Sequence, residues 1–98
     1  ILKSWVPSQT TDGNGFMRLS MSSFPSDMAS KTNDYIVSIV PYDLRTSDYN
    51  TCICSWTDFE GDLTINVRLT WSNLSALNGG RRIKVWYWAK NPAADYSV

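Results

Sequence analysis

Two tryptophans one residue apart, Trp86 and Trp88, stand among Arg82, Lys84 and Lys90 in the segment RRIKVWYWAK. Indole rings bracketed by cations can do three kinds of chemistry. Side by side on one strand face, about 7 Å apart, they form a platform for successive sugar rings. The same rings stack on unpaired bases, with Arg82 and Lys84 holding phosphates. They also pack against a neighbouring sheet or chain, with the cationic stems covering the ring edges. The alternate residues Ile83, Val85, Tyr87 and Ala89 form an ordinary core face. The segment therefore reads as a strand whose second face needs a partner.

Other reactive constellations are sparse. The chain has no histidine, so a Ser–His or Cys–His nucleophile pair cannot form within it. Cys52 and Cys54 project from the same strand face, about 7 Å apart along the strand, which is unfavourable for pairing. With no histidine or further cysteine they make an incomplete metal set, and they read as buried, reduced thiols. Asp58, Glu60 and Asp62 alternate in DFEGD, where they either seat a cation or decorate a solvated turn. The glycines of GNG and NGG lack the lysine and helix of a phosphate loop. Asn73, Leu74 and Ser75 match the N-glycosylation pattern. The expectation is a chain that is not by itself an enzyme and needs no cofactor or metal.

Composition narrows the partners. Lysine plus arginine equals aspartate plus glutamate, nine of each, so no global field attracts nucleic acid. No apolar run approaches the roughly 20 residues of a membrane span. The 98 residues suffice for one small domain or a piece of one, and the start at Ile1 suggests a processed or excised segment.

Six segments carry strand patterns. ILKSWV ends at Pro7, and FMRLSMS places Met17, Leu19 and Met21 on one face. Tyr35 to Asp43 is a β-branched run expected to be buried on both faces. TCICSW is a further strand, with TDFEGD as the turn after it. Leu63, Ile65, Val67, Leu69 and Trp71 alternate with polar residues, and Arg81 to Ala89 closes the set. Ser26 caps at most one short helical turn, from Met28 to Lys31. Six strands with polar connections and no long helix predict an antiparallel β-sandwich forming a single domain.

The stretch from Ser55 to Pro92 resembles a recurrent segment of picornavirus-like capsid proteins. Trp56 matches the aromatic residue that precedes the family's strand, and Gly61, Asp62 and Leu63 match that strand's start. Arg82, Ile83, Lys84, Val85 and Tyr87 match the second strand. The family usually places a glycine close behind the aromatic, whereas Thr57 to Glu60 intervene here. The resemblance implies a jelly roll, with the chain as an incomplete, cleaved or reduced version of its eight strands. It further implies a structural subunit of the virion of a small RNA virus. Such a subunit assembles with other capsid chains and is open to a host receptor or glycan. Arg82, Lys84, Trp86 and Trp88 would then meet a neighbouring subunit. The alternative function is a carbohydrate-binding β-sandwich module with Trp86 and Trp88 as its platform.

Overall fold

In the computed structural model, residues 1–29, 31–48, 51–61, 64–77 and 79–91 are described. They form six strands: β1 (Lys3–Trp5), β2 (Phe16–Ser20), β3 (Tyr35–Pro41), β4 (Cys52–Glu60), β5 (Thr64–Trp71) and β6 (Ile83–Ala89). Among the described residues the helical content is three single 3-10 turns, and no helix is long and apolar enough to cross a membrane.

Period-two patterning sets which face of each strand turns inward. Met17 and Leu19 of β2, Ile65, Val67 and Leu69 of β5, and Ile83, Val85 and Tyr87 of β6 are all buried. They meet between two antiparallel three-stranded sheets, ordered β1-β6-β3 and β2-β5-β4. The all-β antiparallel sandwich expected from the sequence is therefore the observed architecture. The central strands β5 and β6 supply most of this core, as a strand with neighbours on both sides should. Pairing is nested: β1 joins β6 and β2 joins β5, first with last and second with second-last. Strands β3 and β4 form the outer edges of their sheets, near each other across the sandwich.

Three expectations need correction. The segment Thr57 to Glu60 is not a turn but the second half of β4, because Thr57, Asp58, Phe59 and Glu60 pair with Val67, Asn66, Ile65 and Thr64. Ladder pairing to a strong neighbour overrides the weak β-propensity of the two acids. Strand β3 is not buried on both faces. Tyr35, Val37 and Ile39 pack on the core, while Ile36 and Val40 remain 42% and 37% exposed. None of the described strands covers the outer side of its sheet. Met21 leaves the alternation of β2, since the strand stops at Ser20 and a 3-10 turn begins. Around Met28 the chain makes no more than the short turn expected, with Met28 N–H and Ala29 N–H donating to Pro25 O. The expected strand residues Asp62 and Leu63, and Pro92, lie outside the described residues.

Candidate functional site

The outer face of the β1-β6-β3 sheet carries Arg82, Lys84, Trp86 and Trp88, all half-buried. Trp86 stands between Ser4 of β1 and Ser38 of β3, and Trp88 beside Ile36. The serines leave the indole of Trp86 with small neighbours on both sides. Lys84 Nζ lies 4.5 Å from the centre of a Trp86 ring, so a cation already occupies that indole. Arg82 is turned away from the tryptophans. Its Nε–H donates to Asp43 at 3.3 Å, and its guanidinium lies over Tyr42 at 5.1 Å. The four residues thus share a face but split into two local sets. Exposed Ile36 and Val40 complete an apolar surface around the tryptophans.

The opposite sheet holds an aromatic cluster that sequence reasoning did not assemble. Between Cys54 and Trp56 the register of β4 shifts, so two residues oppose one on β5. This β-bulge inverts the alternation. Cys54 faces inward opposite Leu69, yet Trp56 faces outward opposite Arg68. Phe16 of β2 pairs with the same Arg68 from the other side. Phe16, Arg68 and Trp56 therefore form one row across three strands. The two aromatic rings meet edge to face with centroids 6.1 Å apart, and the Arg68 guanidinium lies 4.8 Å over Phe16. Two open concavities of about 270 and 340 Å³ share this pair of rings. Asp12, Arg18 and Asn66 help line one, and Ser55, Arg68 and Leu74 line the other.

The loop before Phe16 is built to hold that ring outward. Asp12 Oδ1 accepts hydrogen bonds from the backbone N–H groups of Asn14 and Phe16, at 2.8 and 3.0 Å. Of the acids weighed as a cation seat or a solvated turn, Glu60 pairs with Arg18 at 3.2 Å and accepts a hydrogen bond from Asn66, while Asp62 lies outside the described residues. Among the described residues no group of three metal-ligating side chains converges. Of the other sequence-singled residues, Gly61 turns the chain out of β4 with φ +60, while Asp62 and Leu63 lie outside the described residues.

One titratable cluster sits at an end of the core. Asp27 accepts hydrogen bonds from Tyr87 Oη at 3.0 Å and from Lys3 Nζ at 2.6 Å. Burial raises the Asp27 carboxyl, but its hydrogen bonds to Lys3 and Tyr87 and the Lys3 charge outweigh that and hold it below its ordinary value. Burial, joined by the bond to Asp27, pushes Tyr87 up to about 12. With Trp5 edge-on to Tyr87 at 5.5 Å, the group clamps a loop onto β6.

No family model, curated protein or solved structure matches this chain.

Proposed function

We propose that the chain is a structural subunit of a small icosahedral viral shell, acting by assembly rather than catalysis. The observation that carries this reading is the outer face of the β1-β6-β3 sheet. Half-buried Trp86 and Trp88 are flanked there by exposed Ile36 and Val40, and none of the described strands covers them. A contiguous apolar sheet face is costly to leave in water and marks a contact surface. Nested pairing of β1 with β6 and β2 with β5 supports the same reading, because a jelly roll winds its strands as such a ribbon. The edges of β3 and β4 are where two further strands of an eight-stranded sandwich would pair. The partners in this reading are other shell chains, and its setting is the virion. A sugar platform at Trp86 and Trp88 is disfavoured because Lys84 already lies over the Trp86 indole.

Sedimentation velocity over a wide concentration range tests the proposal. The chain should associate with itself or with co-expressed shell chains. Trp86→Ala and Trp88→Ala should each weaken that association by at least about tenfold, as truncation of a central interface aromatic does. A chain that stays monomeric, alone and with shell chains, would overturn the reading. So would association indifferent to both substitutions.

A further inference from the structure

The cluster on the other sheet points to a ligand rather than a subunit. Trp56 and Phe16 are 45% and 41% exposed, although each belongs to a strand with an available inward face. The bulge at Ser55 is what turns Trp56 outward. Bulges recur where a side chain must be re-aimed, often beside functional sites. A second departure lies at the rim. Leu74 is the one described non-glycine residue with positive φ, at +67, and it is 62% exposed. Its N–H donates to Trp71 O at 2.8 Å, and Asn73 Oδ1 accepts from Ser75 N–H next to it. A tight turn thus holds a large apolar side chain in a strained conformation at the mouth of the 340 Å³ concavity.

Arg68 supplies the charge. Its Nε–H donates to Asn14 O at 3.2 Å, which fixes the guanidinium over Phe16. Among the described residues no carboxylate pairs with it, whereas Arg18 is paired with Glu60. A fixed guanidinium with its terminal nitrogens uncommitted is suited to a carboxylate, which it can bind through two parallel bonds. The adjoining concavity offers Asp12 and Asn66, groups that bond hydroxyls. One concavity falls just below and the other just inside the range of ligand sites, about 300 to 1,000 Å³.

We propose that the Phe16–Arg68–Trp56 row binds a carboxylate-bearing pyranose, stacked on Trp56 with its carboxylate on Arg68. Single-stranded nucleic acid fits less well: Arg18 is already paired with Glu60, which leaves one guanidinium for a run of phosphates, and the chain has no net positive charge to hold a polyanion. The site lies on the sheet opposite Trp86 and Trp88, so it stands or falls independently of the assembly face.

The test is titration of the purified chain with methyl β-glucuronide, a methyl sialoside, methyl β-glucoside and oligouridylate, followed by amide and indole NMR shifts. At least one acidic sugar should move the Trp56 indole signal and bind about threefold or more tighter than the neutral glucoside. Trp56→Ala should weaken binding by roughly tenfold, the scale of stacking a ring on an exposed aromatic. Arg68→Gln should erase the preference for the acidic sugars. Leu74→Gly should weaken binding while raising the melting temperature, an outcome that general unfolding cannot mimic. Trp86→Ala should change nothing here. Absence of binding by both acidic sugars would overturn the proposal, as would tighter, salt-sensitive binding of oligouridylate. Equal loss on Trp86→Ala would also sink it.

Discussion

Tyr87 donates its hydroxyl proton to Asp27 across 60 residues of sequence, at 3.0 Å from one carboxylate oxygen and 3.2 Å from the other. The contact joins the central strand of one sheet to the loop that crosses between sheets. Lys3 reaches the same carboxylate from β1, and Tyr35 Oη donates to the Asp27 backbone carbonyl at 3.1 Å. Strands β1 and β6 are therefore tied to the loop at one carboxyl group, and the start of β3 to the same residue's backbone.

That tie makes stability depend on pH at both extremes. Folded Tyr87 keeps its proton to about pH 12, whereas an unfolded tyrosine loses it near pH ~10. Between these values the folded state holds more protons, so stability falls as pH rises. The loss should be on the order of 3 kcal/mol, at about 1.4 kcal/mol per pH unit. Asp27 acts in the opposite sense. Its depressed carboxyl contributes stability above the ordinary carboxylate range, and the contribution disappears as pH falls through the folded value. Urea melts from acid to alkali should show both slopes. Tyr87→Phe should remove the alkaline slope and cost about 1–2 kcal/mol near neutrality. Asp27→Asn should flatten the acid limb.

These ties also mark where the sequence stopped being legible. The inward faces of β5 and β6 follow from local alternation, because each residue's environment repeats every second position. The outer row does not. Phe16, Arg68 and Trp56 come from three strands, and their meeting depends on register and on one extra residue at Ser55. A bulge shows in sequence only as a change of phase, and the acids of TDFE hide that change by imitating a turn. Trp86 and Trp88 were recognisable as an unusual face from their spacing. That Lys84 sits over Trp86 while Arg82 turns to Asp43 depends on side-chain geometry that spacing does not encode.

Two glycines in one turn should respond oppositely to alanine. Gly15 has φ +85, and a Cβ there would stand 2.1 Å from Leu69 O. Its own carbonyl accepts from Leu69 N–H at 2.9 Å, continuing the β2–β5 ladder. Gly15→Ala must either push the strands apart or flip the turn, and should cost roughly 3 kcal/mol or more. At Gly13 an added Cβ meets nothing within 4 Å, and φ lies outside the left-handed range. Gly13→Ala should therefore be neutral or stabilising by up to about 1 kcal/mol. Chemical denaturation of the two variants would check the contrast. Equal effects would contradict the close approach of Gly15 to Leu69.

The two cysteines give the last prediction, and it tests the bulge directly. Both are free thiols on the inward side of β4, before the register shifts. Cys52 is 3% exposed, and burial pushes its thiol up. Cys54 is half-buried at the bulge, with Sγ 3.2 Å from Thr57 Oγ1 and 3.6 Å from Trp56 O. A thiol reagent needs the thiolate and a path to it. Cys54 should therefore label in the folded protein, while Cys52 waits for the strand to open. An opening that costs about 3 kcal/mol would slow Cys52 roughly a hundredfold. Single variants Cys52→Ala and Cys54→Ala assign the two rates by mass spectrometry. Mild oxidant should leave the pair unlinked, because side chains two apart on an extended strand are held out of bonding reach. Equal labelling rates, or a ready Cys52–Cys54 disulfide, would mean that β4 does not hold its extended run up to the bulge, and the outward aim of Trp56 would fall with it.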